Sequence, residues 1–326
     1  MTKPQSPSPT AAVRQPSLMA CCSAIAHAPI GLFRPRRPDH RFLSSLIDAG
    51  LPRAQRTVDV RVLPQVAKSV PAAGLAEGVR NPRRVDAAMT AFVVEHPQAR
   101  FVVDPGICRD VRQRAISELP TVLRPAVRPP ADVVTTQDAL VQTLPGVTLD
   151  FALPTHLHWD HVCGLLDLPT LPLTIHRAEF DWVASGPVSP VGGVRSSLTN
   201  RPITTYQLDG PPVATFSRSH DLFGDGTVVL VDLAGHTPGS IGILAATEMG
   251  PVLLSGDAAW HHAGIEQIRQ RPSYPGALVD EDRDEAFRTL HRLHAVRDQM
   301  RIVPSHDHAA AIALRDHRAA VEAMRR

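Results

Sequence analysis

Thr155-His156-Leu157-His158-Trp159-Asp160-His161 sets three imidazoles and a carboxylate within six consecutive positions, directly after a run, 147–153, that reads as a strand. Imidazole nitrogen and carboxylate oxygen are donors that zinc and other borderline metals take, and alternate residues such as His156 and His158 can aim at one point. If those two hold one ion, Asp160 and His161 face the next position along the loop and serve a second. A histidine-rich surface loop is the bland alternative, but the density and spacing favour ligation.

One loop cannot complete two such sites, because each zinc needs three or more protein ligands. Three further donors each follow a predicted strand: His236 in Gly235-His236-Thr237-Pro238-Gly239-Ser240, Asp257 in Ser255-Gly256-Asp257, and His306 in Pro304-Ser305-His306-Asp307. Strand ends converge on one edge of a sheet, and glycines beside a ligand let backbone approach closely. His308 competes with His306, which follows its strand directly and is preferred.

The order H-x-H-x-D-H, G-H-T-P-G-S, S-G-D and a late P-x-H-D resembles the metallo-β-lactamase-fold hydrolases over roughly residues 57–308. Phe101-Val102-Val103-Asp104-Pro105-Gly106 looks like that family's early strand-Asp-x-Gly turn. The resemblance implies an α+β fold, a four-layer αβ/βα sandwich with metals at one edge of two facing sheets. It implies two divalent ions, zinc or else iron or manganese. His156, His158 and His236 would hold one, Asp160, His161 and His306 the other, with Asp257 bridging and Asp104 steadying a ligand imidazole.

Departures narrow the branch. Metallo-β-lactamases themselves lack the bridging Gly-Asp, diiron members replace the second His of H-x-H with Glu, and tRNA-processing members carry a basic arm that this chain lacks. His220-Asp221-Leu222-Phe223-Gly224-Asp225-Gly226 and Phe92-Val93-Val94-Glu95-His96-Pro97 look most like the lactonase and organophosphate-hydrolase branch. Acyl-homoserine lactonases carry Tyr three residues after the bridging Asp; here Trp260 stands there, and indole donates a hydrogen bond but delivers no proton at neutral pH.

The 326 residues are 43% hydrophobic and 20% charged, enough to bury a sizeable core. No run reaches the ~18 apolar residues of a membrane span. The net charge of +2 excludes a strongly basic, nucleic-acid-binding surface. Four cysteines without a C-x-x-C pattern suit a reducing compartment, and the cytoplasm is expected. Leu18-Met19-Ala20-Cys21 faintly resembles a lipoprotein cleavage site but lacks the preceding apolar core.

Prolines and small residues over 1–55 read as a flexible tail with one short helix at 42–49, and 56–326 as the catalytic domain. Strands are expected at 57–63, 171–176, 213–217, 227–233, 252–255 and 301–304. A hairpin, 91–95 with 101–104, is expected at a sheet edge. Helices are expected at 178–184, at 309–324, and through Phe287, Leu290, Leu293 and Val296 with Asp280, Glu281 and Asp282 in its first turn. The irregular stretch 186–202 and the segment after Trp260 are expected to shape the pocket.

The expected reaction is hydrolysis of an ester or lactone in a small molecule. Two cations would bring the pKa of a shared water toward ~7 and polarise the attacked oxygen. Asp160 and Asp257 are the catalytic carboxylates, with Trp159, Trp260, His261 and His262 as pocket candidates. His291, His294 and His317 are expected on solvated helix faces. Phosphotriester or thioester hydrolysis is the alternative chemistry, and a non-catalytic metal-stabilised sensor the alternative class. The resemblance also implies a homodimer.

Overall fold

Alternation builds the centre of this molecule. In the runs 92–94, 101–103, 228–231 and 252–254, residues of one parity meet across the middle of the fold while those of the other parity face helices. The computed structural model describes residues 17–124, 127, 129 and 132–324. Strands are β1 (Asp59–Val62), β2 (Lys68–Pro71), β3 (Arg84–Ala87), β4 (Phe92–His96), β5 (Ala99–Val103), β6 (Phe151–Ala152), β7 (Leu173–His176), β8 (Ile203–Tyr206), β9 (Ser219–Asp221), β10 (Val228–Asp232), β11 (Ile241–Thr247), β12 (Gly250–Gly256) and β13 (Arg301–Pro304). Helices are α1 (Leu18–Phe33), α2 (His40–Ser45), α3 (Val111–Arg114), α4 (Thr136–Thr143), α5 (Trp159–Val162), α6 (Arg177–Ala184), α7 (His262–Gln267), α8 (Ser273–Val279), α9 (Arg283–Val296) and α10 (His308–Met324).

One sheet runs β1-β4-β5-β6-β7-β8 and the other β13-β12-β11-β10-β9, with β2 and β3 a separate hairpin. Val60, Phe92, Val94, Phe101 and Val103 of the first sheet meet Val228, Leu230, Ile243, Val252 and Leu254 of the second. On its outer face the first sheet packs Val93, Val102 and Ile175 against Ala139 of α4 and Val183 of α6. The second packs Val229, Val231, Leu253 and Ile302 against Ile265 of α7 and Phe287, Leu290 and Leu293 of α9. These are the four layers of the expected αβ/βα sandwich. Among the described residues no helix is long and apolar enough to cross a membrane.

Several expectations are corrected. The β4–β5 hairpin lies inside its sheet, since Val60 pairs with Val94 and Phe101 with Phe151; Phe92, Val93 and Val94 are all fully buried, as an interior strand covered on both faces requires. The strand expected at 147–153 shrinks to Phe151–Ala152, because Val147 N–H still closes the turn after α4 onto the Leu144 carbonyl at 3.1 Å. The 213–217 strand is a tight turn in which Val213 and Phe216 exchange both backbone hydrogen bonds around Ala214. β11 was not anticipated; its I-G-I-L-A-A-T run has no polar alternation because both faces are buried.

Asp282 is the N-cap of α9, its carboxylate accepting from Asp284 and Glu285 N–H, and Asp280 is directed elsewhere. His291 is fully buried, accepting from the Asp39 N–H at 2.8 Å, so its helix face is not solvated. The stretch read as a tail carries two helices. α1 has no charged side chain and no period, being apolar around its circumference, and it buries Cys21, Ala24 and Gly31 against the body near α8. Residues 1–16 of that stretch lie outside the described residues.

Candidate metal centre

The loop after β6 delivers His156, His158, Asp160 and His161; the turns after β10 and β12 deliver His236 and Asp257; the end of β13 delivers His306. Glycine is required at two of these turns. Gly235 adopts φ +127°, and a Cβ there would lie 2.2 Å from the backbone N of Ala286 in α9. Gly256, at φ +52°, would set a Cβ 2.4 Å from Thr155 Oγ1, so only glycine lets the Asp257 turn press on the histidine loop.

All seven expected ligands come together. Their donor atoms fall into three groups, each within 4.8 Å: His156, His158 and His236; His156, His161 and Asp257; Asp160, His161 and His306. Asp257 stands between the first and third. Its Oδ1 is 3.2 Å from His161 Nε2 and 3.1 Å from His306 Nε2, while Oδ2 is 3.4 Å from His236 Nε2. Asp160 Oδ2 lies 3.5 Å from His306 Nε2.

Outward hydrogen bonds fix which nitrogen faces the centre. His161 Nδ1 meets Asp104 Oδ2 at 2.8 Å, His236 Nδ1 meets Asp280 Oδ1 at 2.9 Å, and His306 Nδ1 meets the Ala88 carbonyl at 3.0 Å. On His161 and His306 the Nδ1–H is so placed, and each Nε2 turns inward, where its lone pair takes a proton or a cation; His236 Nδ1 also meets Arg271 Nη1, and its Nε2 likewise faces the centre. Thr155 Oγ1 does the same for His156 Nδ1 at 3.1 Å, leaving His156 Nε2 facing His158 Nδ1 at 3.1 Å. Two facing lone pairs suit a shared cation. The Nε2 atoms of His161 and His236 and Asp257 Oδ1 are buried without a hydrogen-bond partner, as a metal-ligand set requires.

Electrostatics agree. Burial, with the neighbouring imidazoles, holds His156 and His158 well below the usual histidine pKa, so both are neutral donors. Burial also works against charge on His161 and His306, but Asp257, with Asp104 or Asp160, overrides it and raises both. Burial opposes ionisation of Asp257 too, yet His306 and His161 hold its carboxyl well below the ordinary range. Positive charge is thus stabilised in the place where a cation would put it.

Asp104 is buried, as its expected steadying role needs: it accepts from Thr155 N–H at 2.7 Å, Thr155 Oγ1 at 2.9 Å and Ser305 Oγ at 2.9 Å besides His161. Two supports were not anticipated. Glu179 of α6, fully buried, accepts from Leu157 N–H at 2.8 Å with one oxygen and from Thr237 Oγ1 at 2.7 Å and Gly239 N–H at 3.0 Å with the other. It ties the His156-Leu157-His158 loop to the His236 turn, and burial lifts its pKa to about 7. Arg271, also buried, donates to Asp280 and to the Asp257 carbonyl. Arg271 stands 14 residues from Asp257, and Glu179 22 from Leu157 and 58 from Thr237, which leaves no local signal.

The aromatic and histidine candidates divide. Trp260 Nε1 donates to Asp257 Oδ2 at 2.7 Å, and the Arg271 guanidinium lies 4.7 Å over its ring. Trp159 packs instead with Cys108, Val111 and Cys163, and it is Trp182 that sets its ring edge-on to His158 at 5.7 Å. His261 caps α7 and His262 lies 3.3 Å from Glu266; both line a separate cleft with Arg297 and Met300. The 186–202 stretch does reach the centre, through the Gly192 carbonyl that accepts from Trp159 N–H at 2.9 Å.

The family model of the metallo-beta-lactamase superfamily matches residues 88–306, and the chain belongs to that superfamily. N-acyl homoserine lactonase AttM of Azorhizobium caulinodans is 27% identical over 229 residues, 66% of this chain and 80% of that protein. AttM of Rhizobium johnstonii is 30% identical over 169 residues, 49% of this chain and 59% of that protein. Among solved structures, a B. thuringiensis AiiA mutant with N-decanoyl-L-homoserine at its active site aligns with TM-score 0.58 at 16% identity, over 79% of this chain and 97% of that one. AidC, a dizinc quorum-quenching lactonase, aligns with TM-score 0.52 at 13% identity, over 80% of this chain and 92% of that one. Family and donor set together make the chain a metallo-β-lactamase-fold hydrolase.

Proposed function

We propose that the chain hydrolyses the lactone ring of a small acylated molecule, using two divalent cations, zinc foremost. His156, His158 and His236 would hold one, Asp160, His161 and His306 the other, and Asp257 would join them. The observation that carries this reading is the inward set of unpartnered donors, Nε2 of His161 and His236 and Oδ1 of Asp257, in a chain whose relatives are named as acyl-homoserine lactonases. When bound, the cations supply Lewis acidity at the carbonyl oxygen and a water ionised near neutral pH.

The protein's own groups do the rest. Asp160 Oδ2, at the rim beside His306, takes the proton of the attacking water and returns it to the leaving alkoxide. Trp260 keeps its N–H on Asp257 and acts by holding that carboxylate, so the leaving group draws no proton from the position where relatives have tyrosine. A recess of about 150 Å³ beside His306, walled by Val66, Val70, Met89, Ile107 and Val133, suits an apolar acyl arm. Four free cysteines accord with a cytoplasmic setting, and residues 56–326 are assigned as the catalytic domain.

The test is a hydrolysis panel of acyl-homoserine lactones, aryl esters, a phosphotriester and a thioester with metal-loaded protein and its Asp257→Ala variant. Lactone turnover is expected to exceed the others and to fall at least ~100-fold in the variant. Preference for a phosphotriester or thioester overturns the substrate class. Silence on every substrate with two metals bound overturns catalysis itself and leaves the sensor reading.

A further inference from the structure

A second cavity, of about 570 Å³, is walled by Arg61 and Val62 of β1, the segment 63–65, Thr90, Thr143 of α4, and α10 from His308 to Arg318. None of the seven metal-ligand candidates lines it, and its volume is that of a small-molecule site. Its apolar lining is Val62, Leu63, Pro64, Ala311 and Ile312, and its charged lining is Arg61, Arg315 and Arg318, with no carboxylate.

The three guanidinium groups are braced in one way. Arg61 places Nε 2.6 Å from Glu95 and Nη2 3.0 Å from Asp59. Arg318 places Nε 2.7 Å from Asp59 and Nη2 2.5 Å from Glu322. Arg315 places Nε and Nη2 on Asp316 at 3.1 and 3.0 Å. Among the described residues no hydrogen bond is made by Nη1 of any of the three. Thr90 backs the wall: the residue is 3% exposed and its Oγ1 is buried, so the hydroxyl does not open on the cavity.

We propose that this cavity binds a small aliphatic carboxylate. The carboxylate takes the free Nη1 donors, and the hydrocarbon lies on Val62, Leu63, Pro64, Ala311 and Ile312. Guanidinium is suited to carboxylate by charge and by its several N–H donors, and the apolar lining distinguishes such a ligand from an inorganic anion. The wall is shared with the metal centre: Thr90 N–H donates to the Ser305 carbonyl at 3.0 Å, and the Ala88 carbonyl holds His306. The occupant thus sits one backbone segment from a ligand imidazole.

The experiment is calorimetric titration of octanoate, octanol and inorganic phosphate into the metal-loaded full chain and three variants. Arg315 is half exposed and pairs only with its neighbour Asp316, so Arg315→Glu keeps the fold; Thr90→Val conserves volume while deleting the hydroxyl. Asp257→Ala serves to separate binding at the metals. Octanoate is expected to bind saturably, to keep its affinity in Asp257→Ala and in Thr90→Val, whose hydroxyl does not open on the cavity, and to weaken about tenfold in Arg315→Glu. Octanol and phosphate are expected to bind at least about tenfold more weakly than octanoate. The proposal is overturned if octanoate binding is lost in Asp257→Ala but unmoved by Arg315→Glu, which would place it on the metals. Absence of saturable binding, or phosphate binding as tight as octanoate, overturns it equally.

Discussion

Glu179 shows how one side chain can set the spacing of a centre it never enters. Its two oxygens accept from opposite loops, Leu157 on one and Thr237 with Gly239 on the other. Burial raises its pKa from 4.5 to about 7. Between those values the unfolded chain is ionised while the folded one keeps its proton, so the folded state binds more protons and stability falls as pH rises through the window. A shift of that size corresponds to about 3 kcal/mol. Urea unfolding at pH 5 and pH 8, with chelator present throughout, should therefore show wild type losing about 3 kcal/mol more than Glu179→Gln, whose amide does not titrate. Equal losses in the two proteins would show that Glu179 is already ionised at pH 5. The candidate metal ligands were legible where this tie was not, for a physical reason. Candidate donors declare themselves by residue type and by close spacing after a strand, as His156, His158 and His161 do. Glu179 acts through contacts spanning 22 to 60 residues and Asp280 through one to His236 spanning 44, and nothing in the local sequence sets either apart from an ordinary surface acid.

At the scale of elements, α9 carries the second sheet's outer face. Leu293 is fully buried between Val296 and Leu290 on that helix and the strands beneath. Leu293→Ala removes the side chain without changing helix propensity for the worse, so its cost is lost burial plus the cavity left behind, about 2–5 kcal/mol. Denaturant midpoints at constant m-value measure it; a loss below about 1 kcal/mol would mean that α9 is only loosely docked. This helix was readable because one face is apolar at near-helical spacing. α1 and β11 were not, since each is apolar without a period: α1 all round its circumference, β11 on both faces of a central strand. β6 is short for a related reason. Only Phe151 and Ala152 pair, and the chain then leaves the sheet to present the histidine loop.

For the whole molecule, the centre is the seam between two sheets. His156, His158, Asp160 and His161 come from the first, and His236, Asp257 and His306 from the second, so cations held there would add to the apolar contacts and to the hydrogen bonds, such as Ser305 Oγ to Asp104 and Thr237 Oγ1 to Glu179, that already join the halves. Such a set costs free energy when the cations are removed, because unpartnered imidazole nitrogens and the Asp257 carboxylate then face one another in a buried space. A ligand that binds only the folded state adds about 2.7 kcal/mol at 100 times its Kd and about 4.1 kcal/mol at 1,000 times. Removing the metals should accordingly lower Tm by about 2–4 °C for each kcal/mol lost, and re-addition of zinc should restore it. Asp257→Ala takes away the residue common to both halves of the set, and its metal-dependent shift should shrink to less than about half that of wild type. The shift should also diminish as pH falls, since His161 and His306, whose pKa values Asp257 raises above the usual histidine range, must shed their protons to bind. A wild-type Tm that ignores chelator at pH 7.5 would show that the seam is held by its apolar core and its hydrogen bonds and that the seven donors meet without binding a cation.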